Sequence, residues 1–336
     1  MSGPPFRPRP GLRPLAWIYG IGARLVMASW DLGLRRPRRL PVPVISVGNL
    51  AAGGTGKTPL VLALCGLCRE RGVSVGVLAR GYGGRGRDGL NDEGRMLARR
   101  FPDLPQAQRP DRYEAGLRLL GEKKVDLLVL DDGFQHRRLH RDLDLVCVPA
   151  SDPFSGGAML PAGWLREPPE ALGRADLCLR VVEAGEPEPE EEDPRLAELG
   201  VAQVLVRRAA LDIERRPGGE RLPLETLRGR RVRALAGIAR PERFARALRE
   251  CGAEILERRW FRDHSKIPRA LLEETGRTCA EEGSWLLLTE KDEARLLGAD
   301  PVPEVERYVF RQELRFPPAA RSLLESRLDQ LLGRGA

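Results

Sequence analysis

The chain has 336 residues, 42% of them hydrophobic, and a net charge of +8. That length buries a sizeable core and suits one large or two medium domains of a soluble globular protein. No apolar run reaches the about 18 residues that a membrane-spanning helix needs, and no small-residue cleavage site follows a clean apolar core, so neither a span nor a signal peptide is expected.

The charge is unevenly placed: residues 1–40 hold eight arginines and one acid, so the basicity is local. Within that segment, residues 15–30 (LAWIYGIGARLVMASW) predict a helix that is apolar on most faces and flanked by arginines. It is too short to span a bilayer at about 1.5 Å per residue. It suits a helix lying at a membrane surface, with arginines toward anionic headgroups and tryptophans at the interface. A helix packed on the protein's own core reads the same way. An arginine-rich arm also binds nucleic acid, but the apolar stretch argues against that partner, and no protein partner is expected.

Residues 42–64 read VPVISVGNLAAGGTGKTPLVLAL. A β-branched run (42–47) feeds a loop with four glycines (48–56), and an apolar helix follows. Strand, glycine-rich loop and helix make an anion site, because tight turns aim several N–H groups into one hollow at a helix N-terminus. Ala51, Ala52, Gly53, Gly54, Thr55 and Gly56 form the cradle, with Ala51 standing where the phosphate-loop pattern has its first glycine. Lys57 is placed to reach a β- or γ-phosphate, and Thr58 to put its hydroxyl on Mg²⁺.

Strands are expected at 73–78, 125–130, 143–148 and 175–182, and helices at 91–100 and 111–122. The run 125–130 ends in Asp131 and Asp132, roughly 70 residues after Lys57. An apolar strand ending in acid is the second half of a nucleotide site, its carboxylate holding Mg²⁺ directly or through water. Residues 151–169 form a long loop. The acidic, proline-rich stretch 183–198 reads as a solvated linker. A second α/β lobe follows, with strands at 201–207, 231–238, 255–261, 285–288 and 305–310. Helices are expected at 241–251 and 268–282, a short one starts at 289–292, and the last runs over 318–332. The chain thus divides into a basic, apolar segment (1–40), a nucleotide-binding core (41–182), a linker (183–198), a second lobe (199–315) and a C-terminal helix (316–336). The fold class is α/β, a P-loop NTPase-type parallel sheet flanked by helices. The Cys65/Cys68 pair lies one helical turn apart with no second pair to complete a zinc set, so the six cysteines read as reduced and largely buried.

Nucleotide–Mg²⁺ binding alone does not separate a kinase from a membrane-associated switch ATPase or GTPase. A kinase needs a group to orient and deprotonate its acceptor hydroxyl. Two candidates stand out: Asp92, beyond the second strand, and His264, beside Asp263 at a strand end in the second lobe. A neighbouring carboxylate raises a histidine's basicity and fixes its tautomer, although a histidine at a strand end is as often a structural residue.

The motifs GNLAAGGTGKTP (48–59), ARGYGG (79–84), NDE (91–93), DDGFQHRRLHRDLDL (131–145), LPAGWLREP (160–168), GRAD (173–176), DH (263–264) and TEKD (289–292) occur in one order. In this the chain resembles the tetraacyldisaccharide 4′-kinase family, the lipid A 4′-kinases, from about residue 10 to 295. The resemblance implies transfer of the γ-phosphate of ATP, with Mg²⁺, to the 4′-hydroxyl of a tetraacylated glucosamine disaccharide 1-phosphate. It also implies the cytoplasmic face of a Gram-negative inner membrane as the place of action. Asp92 would pair with His264 as a catalytic dyad, backed by Asp263. Asn49, Arg80, Tyr82, Gln135, His136 and Arg166 would line the substrate region, and Asp131 and Asp132 the metal side. Asn91 and Gly94 stand where this family usually has glycine and proline.

Overall fold

The computed structural model describes residues 8–54, 56–81, 89–189, 191–263, 265–299 and 304–334. Among them the chain builds β1 (Val44–Gly48), α2 (Lys57–Glu70), β2 (Val75–Ala79), α3 (Asp92–Arg100), β3 (Gln106–Gln108), α4 (Arg112–Glu122), β4 (Leu127–Asp131), β5 (Leu143–Pro149) and β6 (Leu177–Val182), after an N-terminal helix α1 (Arg13–Asp31). There follow α5 (Pro194–Glu198), β7 (Gln203–Arg216), β8 (Arg221–Leu222), β9 (Arg231–Ala236), α6 (Pro241–Glu250), β10 (Glu254–Trp260), α7 (Arg269–Glu282), β11 (Trp285–Thr289), α8 (Glu290–Ala299), β12 (Arg307–Arg315) and α9 (Pro318–Leu331).

All twelve strands belong to one sheet, ordered β10-β9-β11-β12-β7-β6-β5-β1-β4-β2-β3, with β8 paired to β7. Every residue of β1, β2, β4, β5 and β6 is buried, as the uninterrupted apolar runs require of parallel strands covered on both faces. β1 lies between β4 and β5, both parallel to it. The chain leaves β1 toward β2 on one side and returns to β5 on the other, so the topological switch point, where α/β sheets bind ligands, falls at the C-terminal end of β1.

The second lobe is not a separate sheet. β7 pairs with β6 in parallel through residues 203–207 and with β12 antiparallel through residues 207–216. β9, β10 and β11 run parallel to β12. The two parallel halves therefore run in opposite senses, and their C-terminal edges face each other across a cleft that β7 bridges.

Two stretches differ from their sequence reading. β7 continues to Arg216, past the expected end at 207, because the charged run Asp212–Arg216 is neutralised within the sheet: Asp212 pairs with Arg311, and Glu214 with Arg99 and Arg221. The stretch 183–198, expected to be a solvated linker, is strapped to the body. Glu183 is buried between Arg208 (3.0 Å) and Arg243 (2.7 Å), Leu196 is buried in the core, and Asp193 caps α5. Arginines of the body pair with Glu183, Glu186 and Glu188, so the stretch is anchored at those points while Glu191, Glu192 and Glu198 stay exposed. The C-terminal helix α9 returns to the first lobe: Leu324 and Leu328 enter its core, and Asp329 accepts from Arg71 at 2.5 Å.

Candidate active site

The glycine-rich loop has its shape fixed from both sides. Gly53 and Gly56 have φ of 109° and 105°, which side-chain-bearing residues rarely adopt, and Gly56 caps α2 so that Lys57 opens the helix. Gly48 is needed for another reason: a Cβ there would lie 2.4 Å from the Cβ of Phe134. The segment 158–166 runs along the loop as a brace. Ala52 N–H donates to the Trp164 carbonyl (2.7 Å), Arg166 N–H donates to the Leu50 carbonyl (2.9 Å), and Ala51 pairs with Leu165. Ala51 is buried in that pairing, which accounts for a small apolar residue at the place where the phosphate-loop pattern has glycine. Asn49, expected to line the substrate region, is fully buried and works as part of the same brace, its amide donating to the carbonyls of Ala51 and Gly53. Thr55 lies outside the described residues.

At the end of β4, in register with Val47, comes Asp131. Burial pushes its carboxyl up to about 7, and the negative charges of Glu93 and Asp132 add to the effect. Asp132 takes a left-handed backbone (φ 52°), tolerated by aspartate. There its carboxylate lies 3.3 Å from Lys57 Nζ and 3.0 Å from Arg166 Nη1. Burial alone would raise its pKa, but Lys57 and Arg166 outweigh that and hold it below the ordinary carboxylate value. Thr58 follows Lys57 in the first turn of α2, half-buried.

Gln135 spans the Asn49 carbonyl (2.9 Å) and Glu167 (3.3 Å). His136 is half-buried, and burial, together with the charge of Arg112, depresses its imidazole to about 4, so it is neutral near pH 7. Arg80 is exposed at the end of β2, close enough to the buried Arg112 for the two charges to repel. Tyr82 lies outside the described residues.

Asp92 opens α3, capped by Asn91, whose side chain accepts from Gly94 N–H at 2.8 Å. A side chain at Gly94 would strike Gln108, which itself binds Asn91, so Asn91 and Gly94 form one local solution. Asp92 then reaches across the cleft. Its Oδ2 accepts from Arg295 Nε of α8 at 2.6 Å, and Arg295 Nη2 is 3.9 Å from Asp263 Oδ1. Asp92 and Asp263, 171 positions apart in sequence, thus flank one guanidinium. His264 lies outside the described residues. Two further pairs join α3 to α8: Lys291 to Glu93 at 2.9 Å, and Arg100 to Glu290 through two bonds of 2.9 Å. Sequence reasoning missed Glu93, Arg112, Lys291 and Arg295. The NDE and TEKD motifs carried Glu93 and Lys291 in plain view, and Arg295 follows Asp292 at i+3.

A profile of the tetraacyldisaccharide-1-P 4′-kinase family matches residues 9–329. The chain belongs to this family. It is therefore a kinase, and the family of tetraacyldisaccharide 4′-kinases includes several similar proteins. One from Anaeromyxobacter dehalogenans (strain 2CP-C) is 41% identical over 324 residues, spanning 87% of this chain and 84% of that one. One from Geobacter metallireducens is 36% identical over 96% of this chain and 97% of that one. The solved structure of LpxK from Aquifex aeolicus, in complex with ATP, superposes with a TM-score of 0.78 at 27% identity, over 96% of this chain and 99% of that chain.

Proposed function

We propose that this tetraacyldisaccharide 4′-kinase moves the γ-phosphate of ATP to the 4′-hydroxyl of tetraacyldisaccharide 1-phosphate in the cleft between the two sheet edges. The phosphate-loop amides and Lys57 hold the phosphate tail, and Arg166 lies beside them as a second cation against the developing charge. Asp92 and His264, with Asp263, take the acceptor proton. Arg80, Tyr82, Gln135 and His136 border the acceptor on the first-lobe side, where exposed Arg80 suits an anionic sugar phosphate. Residues 41–182 serve as the nucleotide core and 199–315 as the lobe that completes the site.

Mg²⁺ is the cation these residues fit. Among the described residues no group of three His, Cys, Asp or Glu side chains is arranged to hold a metal alone. Mg²⁺ does not need one, because it takes one or two carboxylates and fills its shell with phosphate oxygens and water. Asp131, whose carboxyl is raised first by burial and then by Glu93 and Asp132, and the Thr58 hydroxyl would be the hard oxygen donors for it, with Asp132 beside them. Bound there, it would supply counter-charge to the phosphate oxygens.

The exposed apolar face of α1 supports a place at a membrane surface, which the family resemblance makes the cytoplasmic face of the inner membrane. Among the described residues no helix is long and apolar enough to cross a membrane. One face of α1 seats Ala16, Gly20 and Met27 on the body, while Trp17, Ile18 and Leu25 on the other are 71%, 62% and 67% exposed. Tyr19 donates to the Arg166 carbonyl at 2.9 Å, so the helix sits on the loop that grips Asp132.

The observations carrying this reading are the Lys57–Asp132–Arg166 cluster of one lobe, the Asp92–Arg295–Asp263 chain that crosses to the other, and the charge of Glu93, beside Asp92, acting on Asp131. The test is transfer from γ-labelled ATP to tetraacyldisaccharide 1-phosphate in detergent micelles, with Asp92→Asn and His264→Ala beside the wild type. Both variants should lose transfer by 100-fold or more while still binding ATP. Unchanged turnover in both removes the dyad.

A further inference from the structure

The TEKD motif has no part in the chemistry so far assigned, yet its side chains are spent on one guanidinium and one helix. Asp292 is buried and accepts from Thr289 Oγ1 (2.6 Å), Gly237 N–H (3.0 Å) and Arg295 Nη1 (3.1 Å). The Gly237 carbonyl accepts from the same Nη1. A side chain at Gly237 would lie 2.9 Å from the Ser265 carbonyl and 3.3 Å from Arg295 Nη1, so that corner has room only for glycine. Asp292 and Gly237 thereby fix the plane of Arg295 from within the second lobe. The Arg295 side chain is 5% exposed, and the remaining edge of its guanidinium points out of the lobe, with Nε on Asp92 and Nη2 toward Asp263. Among the described residues Nη2 has no hydrogen-bond acceptor.

From this geometry we infer that Arg295 is a positioning residue for phosphoryl transfer: from the second lobe it sets the orientation of Asp92, the proposed proton acceptor, across the cleft. The inference rests on the reading of Asp92 as part of the dyad. A carboxylate at the start of a helix can turn about its Cα–Cβ bond. Arg95, on the same helix, is 4.0 Å away, and the Arg295 guanidinium, pinned by two other groups, bonds the carboxylate from across the cleft at a fixed angle. A misplacement of about 1 Å in such a group costs on the order of 100-fold in rate. Lys291 and Arg100 tie the same two helices without touching Asp92, so docking and orienting are separable.

The experiment measures kcat and KM for ATP in Arg295→Gln, Arg295→Lys, Asp92→Asn, the Arg295→Gln/Asp92→Asn double variant and Arg100→Gln. Arg295→Gln should lose at least 30-fold in kcat with KM for ATP within threefold. Arg295→Lys should recover to within about tenfold of wild type, and the double variant should be no worse than threefold below Asp92→Asn. Arg100→Gln, which cuts a docking tie only, should stay within threefold of wild type. Arg295→Gln with near-wild-type kcat overturns the inference, as does an equal loss in Arg100→Gln. Should the Gln variant not fold, Arg295→Lys carries the same cycle, and a loss that persists in full when Asp92 is Asn overturns it. If Asp92→Asn itself keeps its kcat, the dyad reading and the inference both fall; if only Arg295→Gln does, the inference alone falls.

Discussion

Lys57 Nζ stands 3.3 Å from Asp132 Oδ1, and Arg166 Nη1 bonds both oxygens of the same carboxylate at 3.0 Å. Asp132 therefore orients two cations at once, both at the mouth of the phosphate loop. On the proposed reading Lys57 acts on the transferring phosphoryl group in a largely desolvated site, and removing such a charge costs about 100- to 1,000-fold. Lys57→Ala should lose that much in transfer from γ-labelled ATP. Asp132→Asn, which frees both cations, should lose about 30-fold or more. Because the residues act as one unit, the double variant should fall no more than about threefold below Lys57→Ala alone. Fully additive losses would mean that Asp132 does not work through Lys57.

The nucleotide half was legible because its strands are buried on both faces. Nothing in VISVG, LLVLD or LDLVCVP competes with a parallel-strand reading, and the glycine loop and terminal acids follow in fixed order. Three things were not legible. β3, QAQ, has no apolar signal and forms only because β2 offers it an edge. The far half of β7 is a charged run whose partners, Arg99 and Arg311, lie about 100 positions away. Arg295 sits 203 positions from Asp92, and in sequence it is one of the chain's many arginines. Local pattern reports what an element buries. Ion pairs between remote elements leave no period to read.

Gly48 gives a prediction about stability. A methyl group there meets Phe134 Cβ at 2.4 Å and its backbone nitrogen at 2.8 Å, and neither can swing aside. Overpacking a buried strand end costs about 1–3 kcal/mol. Gly48→Ala should lower Tm by about 5 °C in thermal unfolding and weaken ATP binding, since the loop starts at that residue. A wild-type Tm would show that the segment after β4 can move off the end of β1 without cost.

His136 ties stability to pH. Its folded pKa of about 4 lies below the ordinary value, with burial the main cause and Arg112 the next. Between pH 4 and about 6.5 the unfolded chain binds a proton there that the folded chain does not. Stability from this residue is therefore complete above about pH 6.5 and is lost as pH falls toward 4. His136→Asn lacks that slope. The Tm difference between wild type and variant should shift in favour of the variant as pH drops from 7 to 4.5, and a constant difference would refute the burial of a neutral imidazole.

α1 gives the last prediction. Trp17, Ile18, Ile21 and Leu25 fall on one arc of the helix, and all are exposed, so they hold nothing in the fold. Arg35 and Arg36 follow its C-terminal end, also exposed. A helix lying in the interface buries such side chains at up to about 1.5–3 kcal/mol each, and each arginine adds about 1 kcal/mol on an anionic surface. Trp17→Ser, Ile18→Ser and Leu25→Ser together should cut partitioning to phosphatidylglycerol-containing vesicles by about 100-fold or more in a flotation assay, with Tm unchanged. Arg35→Ser with Arg36→Ser should weaken binding to anionic vesicles and leave binding to neutral ones alone. The two sets separate apolar insertion from charge attraction. Because Tyr19 holds the Arg166 loop, transfer to micellar substrate in the triple serine variant should fall through KM for the lipid and not for ATP. Full flotation of the triple variant would move the membrane contact to another surface of the protein.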